Sequence, residues 1–468
     1  MLLDQVFEKF AAKSPVSVML RGTLEYALQP KLLDDLFEHQ AQQQYTRTLL
    51  FSTVVDLLSL VTCSVHPSVR AAYQASPEDI AVSLTSVYNK LNGLETPLSA
   101  ELVRFVCRQL EPIQRHLGGA LPELIPGYQL RILDGNHLAA TEHRLAETRH
   151  DSAAPLPGQA LVVLDPSLML VRDVFPCEDG HAQERSLLDA VLQTVQERDV
   201  WMADRNFCVL SFLVGVAQKG SCFIIREHKG LTWHSAGKLR SHGRISSGRV
   251  REQRVAVLQE DGQPLYLRRV VVQLDEPTRD GETELVLLTN VPEEAATARQ
   301  VAEHYRKRWT IEIAFQELTE ALCWEVKTLC YPRAALFAFC VALVSYHVLS
   351  VVKGALRGVH GTAKVQEEIS DYLLADEVAR VHEGMMIATG EESWAVFSTM
   401  TVEELVEVLQ QLASNVRLNK FLRSPRGPKK PARKRKYNKR HPHVATSRLL
   451  DQRRTKKRSM KTNQKPTP

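Results

Sequence analysis

Three acidic residues, each set in its own local pattern, mark where this chain can do chemistry. The densest pattern is the run Tyr305-Arg-Lys-Arg-Trp-Thr-Ile-Glu-Ile-Ala-Phe-Gln-Glu-Leu318. On a helix, at about 100° per residue, Tyr305, Arg308, Glu312 and Thr319 fall within roughly 60° of one another. Ile311, Ala314, Phe315, Leu318, Ala321 and Leu322 occupy the rest of the circumference. One face would pack on a core. The other would present a carboxylate between a phenol and a guanidinium, a set suited to a metal-bound phosphate. The same periodicity describes an ordinary amphipathic surface helix, so the chemical reading needs partners elsewhere in the chain.

Two upstream segments supply them. Tyr128-Gln-Leu-Arg-Ile-Leu-Asp134-Gly-Asn reads as a short apolar strand ending in an aspartate followed by a turn, and Val200-Trp-Met-Ala-Asp204-Arg-Asn-Phe repeats that pattern. Each aspartate alone is weak evidence, because Asp caps many strand-to-helix turns. At the ends of adjacent strands the two can converge along one edge of a sheet. With Glu312 from a packed helix they make three carboxylates for one or two Mg²⁺ ions. Hard cations take oxygen ligands, and two of them clamp both sides of a phosphodiester displacement.

These residues resemble the motifs of DDE transposases of the bacterial insertion-sequence-four family. The segments that carry the resemblance are Asp134-Gly-Asn, Asp204-Arg-Asn-Phe, Leu287-Leu-Thr-Asn-Val-Pro292 and Tyr305-x2-Arg308-x3-Glu312, and it covers roughly residues 15 to 350. It implies a ribonuclease-H-like catalytic core that cuts and joins DNA at transposon ends. Asp134, Asp204 and Glu312 would be the catalytic, metal-holding residues, with Mg²⁺ (or Mn²⁺ in its place), two ions being expected. Tyr305, Arg308 and Thr319 would contact DNA phosphate. The family pattern has a lysine where this chain has Thr319, whose hydroxyl still hydrogen-bonds a phosphate oxygen but adds no charge. Lys327 lies near the same helical face but about 12 Å further along the axis. The expected partners are double-stranded DNA (inverted repeats and target) and a second copy of the chain on that DNA, with no membrane. Two alternatives stay open: a DNA-binding derivative without catalysis, and a metal-dependent nuclease of the same fold.

Charge is distributed unevenly. The formal net charge is +5, yet residues 417–468 hold 20 Lys and Arg against one acid, Asp451. That run, rich also in Pro, Ser, Thr and Asn, is expected to be disordered and to attract DNA phosphates without regard to sequence. A solubilising tail is the plainer alternative. The apolar stretch from Ala334 to Val352 is interrupted by Ser345, Tyr346 and His347, which favours a buried helix over a membrane span. The N-terminus lacks a charged-then-apolar signal segment, so a cytoplasmic protein is expected. The eight cysteines are scattered without a C-x-x-C pair; Cys323, Cys330 and Cys340 read as core thiols.

The elements that must position the acidic residues follow from the patterning. The expected class is α/β. Residues 1–125 are helical, with Ser83 to Gly93 a weak helix-turn-helix candidate that would offer Tyr88, Asn89 and Lys90 to DNA; by the resemblance this region reads the inverted repeats. Residues 126–350 form the ribonuclease-H-like core, in the order strand, strand, strand, helix, strand, helix, strand. Asp165-Pro-Ser is a hairpin turn between two of those strands, and Asp165 is an alternative carboxylate read as a turn residue. His137, His143 and His181 lack paired ligand spacing and are read as structural. A β-rich insertion spans about 230–295, with Arg240, Arg244, Arg249, Arg251 and Arg254 as a DNA-backbone surface or a solvated rim. Family members that form hairpins place a base-stacking tryptophan in this insertion. Here Leu285 and Val286 precede the Leu-Leu-Thr segment, and Trp233 is the available indole. Residues 351–422 are helical again, with a capping box at Thr401 and Glu404, and 423–468 make the basic tail.

Overall fold

The computed structural model describes residues 5–44, 48–75, 80–138, 145, 155–278, 281–323, 325–326, 328–390, 392–424 and 444–462. Its centre is one mixed sheet. In chain order the strands are β1 (Gln129–His137), β2 (Pro155–Leu156), β3 (Gln159–Asp165), β4 (Leu170–Cys177), β5 (Asp199–Ala203), β6 (Cys222–Arg226), β7 (His234–Ser235), β8 (Arg240–Ile245), β9 (Gly248–Leu258), β10 (Pro264–Leu274), β11 (Glu284–Thr289) and β12 (Val444–Ala445). The sheet runs β4-β3-β1-β5-β6-β11-β10-β9-β7, with β8 also on β9, while β12 and β2 pair separately. β1, β5 and β6 are mutually parallel; β3 lies between β1 and β4 and runs antiparallel to both. The short connections at the Asp165 turn explain the antiparallel pairs, and the helices Leu188–Thr194 and Leu210–Gln218 make the crossovers that parallel strands require.

Period-two alternation divides the sheet between two cores. Ile132, Val200, Met202 and Ile224 face the larger core. It continues through the N-terminal helices and the helix Pro332–His360. Leu133, Trp201, Ala203 and Phe223 face the smaller one, built with Leu188, Val191, Phe212 and Leu213. The Pro332–His360 helix is long and apolar enough to span a bilayer, but 94% of its most apolar window is buried inside the molecule. Phe337, Phe339, Cys340 and Val344 on it are fully covered, and it packs against helices from both the N-terminal and C-terminal regions.

The β-rich insertion is an extension of the sheet. β9 and β10 pair along their whole lengths, and β11 returns to pair antiparallel with β6. The hairpin at Asp165 forms as expected from its sequence, with the turn at 166–169 between β3 and β4. At the N-terminal end, Ser83 caps the helix Leu84–Gly93. The Lys90 ammonium sits over the Phe37 ring at 3.8 Å, and burial lowers its pKa, so this side chain belongs to the packing. Thr401 and Glu404 make the reciprocal capping box. All eight cysteines are free thiols; Cys330 and Cys340 are buried and Cys323 is half-buried.

Part of the basic tail departs from the expected disorder. Ala445 is buried and β12 adds to β2 in parallel. The helix Thr446–Thr462 follows, and Arg448 donates to Asp179 Oδ2 at 2.9 and 2.8 Å. Arg, Lys, Leu and Gln are good helix formers, and a docked first turn supplies the nucleus an isolated helix lacks. Residues 425–443 and 463–468 lie outside the described residues.

Candidate active site

The parallel register of β1 and β5 brings the two aspartates together. Leu133 lies opposite Ala203, so Asp134 and Asp204 are the next residues on neighbouring strands. By alternation both share the face of Ile132 and Met202, on the side of the larger core. Each is oriented by a backbone donor just ahead of it. The Gly135 N–H donates to Asp134 Oδ1 at 2.9 Å, and the Asn206 N–H donates to Asp204 Oδ1 at 2.8 Å. Asp204 thereby caps the single 3₁₀ turn Arg205–Phe207 and ends its strand. Asp134 does not end its strand: β1 continues to His137, because its antiparallel pairing with β3 runs on from Asp134–Val162 to His137–Gln159.

Glu312 arrives from the same face. The expected single helix is broken. The helix Ala298–Tyr305, capped by Thr297 and Gln300, gives way to a 3₁₀ turn at Arg306–Arg308, and a second helix runs Trp309–Ala321. Ile311 and Ala314 anchor that second helix on the larger core. Tyr305 faces inward and is only 7% exposed, so its phenol is part of the packing while Arg308 and Glu312 face the aspartates. The tighter 3₁₀ turn, at three residues per turn, still keeps Tyr305 and Arg308 on one side.

Arg308 ties the site together. Its Nη1 donates to Asp134 Oδ2 at 3.0 Å and its Nη2 to Glu312 Oε1 at 2.6 Å. Burial pushes the Asp134 carboxyl up to about 6, Arg308 and the Gly135 N–H pull against it, and Asp204 and Glu312 add to the rise. The guanidinium is itself half-desolvated, but the neighbouring Tyr305, Asp134 and Glu312 outweigh that and raise its pKa. Burial likewise raises the Tyr305 phenol, Arg308 opposing and Asp204 reinforcing the shift. One guanidinium therefore binds two carboxylates, with the third, Asp204, close enough to act on Asp134. Their oxygens do not all come within 4.8 Å of one another, since Arg308 fills the space between Asp134 and Glu312. A cation-hungry set of hard oxygen donors, with a guanidinium standing where positive charge is wanted, fits a divalent ion.

Other candidates resolve differently. Asp165 is 4% exposed and accepts from the Ser167 and Leu168 N–H groups at 3.0 and 3.3 Å and from Arg131 Nη1 at 2.7 Å. It is a turn residue in a buried ion pair. His137 and His181 are exposed; His143, Lys327 and the Thr319 side chain lie outside the described residues. The Trp233 indole donates to Glu227 Oε1 at 2.6 Å and lies under Arg269, 4.8 Å from the ring centroid. Of the insertion arginines, Arg244 pairs with Asp275, Arg251 with Glu284, and Arg254 stacks on Tyr266. Among the described residues, His242, Glu252 and Glu293 have ligand atoms within 4.8 Å, but Glu252 is already bonded by Arg268.

The residues that sequence reading passed over are those around Asp204. An open cleft beside it is lined by Arg185, Arg205, Arg226, Lys229 and Arg269. Glu282 bridges Arg205 and Arg226. Glu184 bonds Asn206 at 2.5 Å, and Arg185 donates to the Asn206 carbonyl at 2.7 Å. No spacing marked these positions, because the cleft is assembled from five separate segments.

Residues 125–348 match the family model described as "Transposase DDE domain". This stretch of the chain is similar to that domain, and the three carboxylates lie inside it. The transposase for insertion sequence element IS421 of Escherichia coli is 29% identical over 237 residues, and InsL for insertion sequence element IS186A of Escherichia coli K12 is identical to the same extent. In each case the alignment takes in 42% of this chain and 58% of the relative.

Proposed function

We propose that this protein is a transposase that cleaves DNA at the inverted-repeat ends of an insertion sequence and joins the freed ends to target DNA. The observation that carries this reading is the approach of Asp134, Asp204 and Glu312 from two parallel strands and a distant helix, with Arg308 bridging Asp134 and Glu312. The DDE domain match and the insertion-sequence transposases among the relatives support it. The order β4-β3-β1-β5-β6, with β3 alone antiparallel to the other four, supports a ribonuclease-H-like core.

Asp134, Asp204 and Glu312 would hold the metal. Bound there, one or two Mg²⁺ ions would supply Lewis-acid activation of the attacking oxygen and charge stabilisation for the departing one. Asp134 would contribute as a carboxylate, and a bound cation would oppose the burial that raises its pKa. With a divalent ion held by those carboxylates, the Arg308 fork would be available to a phosphate oxygen. Tyr305 is buried and its phenol resists ionisation, which argues for positioning Arg308 and against attack on DNA by the phenol. The basic cleft beside Asp204 would carry the strand backbone. The docked helix Thr446–Thr462, with seven Lys and Arg against Asp451, would add attraction that does not depend on sequence. Two ends must be paired, so the working form on DNA would be at least a dimer.

Purified protein, Mg²⁺ or Mn²⁺ and labelled inverted-repeat DNA test this reading. The expected result is nicking at the repeat boundary followed by strand transfer, with Glu312→Gln binding the DNA and leaving it intact. Binding without cleavage by the wild type would overturn the reading, and cleavage without joining would mark a nuclease of the same fold.

A further inference from the structure

We infer that Glu184 is a positioning residue that fixes the two aspartate turns relative to each other from the reverse face of the sheet. This rests on the proposed role of Asp134 and Asp204 as metal-holding groups. Glu184 opens the 3₁₀ turn Glu184–Leu187, which leads into the helix Leu188–Thr194. That helix packs through Leu188 and Val191 on the smaller core, opposite the side that Glu312 approaches. From there the Glu184 carboxylate reaches Gly135 within β1 and Asn206 just past the end of β5. One oxygen accepts from Asn206 Nδ2 at 2.5 Å. The other lies over the backbone of Gly135, so close that a Cβ at that position would stand 1.9 Å from Oε1. Only a glycine admits the carboxylate there.

The two residues Glu184 touches are the two whose N–H groups hold the catalytic carboxylates. Gly135 donates to Asp134 Oδ1 and Asn206 donates to Asp204 Oδ1. Arg185 secures the same loop by donating to the Asn206 carbonyl and Oδ1 at 2.7 and 3.2 Å. β1 and β5 pair only as far as Leu133 and Ala203, so beyond those residues the β1–β5 ladder no longer ties the two segments together, although β1 stays paired with β3. Glu184 supplies the missing brace. It gives a specific reason for the glycine after Asp134 and for the asparagine two residues after Asp204. Groups that orient metal ligands from behind commonly matter about 10- to 100-fold in metal affinity or activity.

Mn²⁺ binding to the full-length protein, followed by electron paramagnetic resonance without DNA, tests this alongside cleavage of labelled repeat DNA. Glu184→Ala should weaken Mn²⁺ binding and slow cleavage about 10- to 100-fold, with DNA affinity and thermal unfolding near wild type. Glu184→Gln keeps a carbonyl oxygen for Asn206 and should recover most of the loss. Gly135→Ala, which pushes the carboxylate aside, should reproduce the Glu184→Ala defect, and the double variant should be no worse than either alone. Wild-type Mn²⁺ binding in Glu184→Ala would overturn the inference, as would a Glu184→Gln defect equal to Glu184→Ala or strictly multiplicative effects in the double variant. Failure of the wild type itself to bind Mn²⁺ would instead overturn the metal reading of Asp134, Asp204 and Glu312.

Discussion

The same two strands carry a charge cluster at each end, and the two clusters are built to opposite purposes. At the start of β1 and β5, Arg131 lies between Asp165 at 2.7 Å and Asp199 at 3.2 Å, with side-chain exposures of 4–6%. At the other end Arg308 lies between Asp134 and Glu312, whose side chains are 20% and 51% exposed. Asp165 also accepts backbone and hydroxyl hydrogen bonds from its own turn, so the first cluster is closed on itself. The second has three carboxylates and one guanidinium, and it opens onto a basic cleft. Both look alike as Asp and Arg residues in a strand sequence. What separates them is whether the charges are satisfied within the protein or left short of a cation.

Exchanging the effects of matched substitutions would break this comparison. On the proposed reading, in which Asp204 would hold the metal, Asp204→Asn should lower DNA cleavage by more than about 10³-fold while leaving the unfolding transition almost unmoved. Asp199→Asn should leave cleavage by the folded protein intact. Loss of cleavage in the second variant, measured on the folded fraction, would erase the distinction. Arg131→Ala should cost about 3–5 kcal/mol in denaturant unfolding, because it strands two buried carboxylates. Arg308→Ala should cost less than about 2 kcal/mol, because Glu312 remains in water. Equal losses would show that the two ends are energetically alike.

A pH titration sharpens the contrast. Burial raises Asp134 from 3.8 to about 6, so the folded chain holds that proton more tightly than the unfolded chain does. Stability of the metal-free protein should therefore fall as pH rises from about 4 to 6 and stay lower above it, by on the order of 1–3 kcal/mol. Asp134→Asn should flatten this segment of the curve, and chemical denaturation in a chelator at successive pH values measures it. An unchanged slope in Asp134→Asn would remove the charge-crowding account of the site. The smallest effect should come from the tail. Deleting 444–468 removes eight Lys and Arg and should reduce the salt dependence of DNA binding while leaving the cleavage site unchanged. A shifted cleavage site would give the docked helix a role in sequence reading.

Much of this was legible in the chain. The strand–helix order of the core, the Asp165 turn and the Thr401 capping box follow from periodicity and turn chemistry, and the structure forms each of them. Asp134, Asp204 and Glu312 were identifiable from residue type and motif, because each sits where an apolar pattern ends or turns polar. The continuous helix from Tyr305 was misread: periodicity cannot distinguish a 3₁₀ turn within an otherwise helical run, and Tyr305 satisfies a buried position as well as a polar one. The basic tail was misread in part, because composition cannot anticipate a two-residue strand pairing with β2.

What the sequence determined by itself is the inventory: three carboxylates, an arginine a helical turn before the last of them, and a strongly basic C-terminus. These depend on residue type and on short-range spacing. The tertiary structure alone decided that Arg308 binds Asp134 across 174 positions, that Arg131 closes a look-alike cluster on itself, and that Glu184 reaches both aspartate turns. Those facts depend on strand register and on which face of the sheet each helix covers. Register is a global property of the packed sheet, and no local pattern carries it.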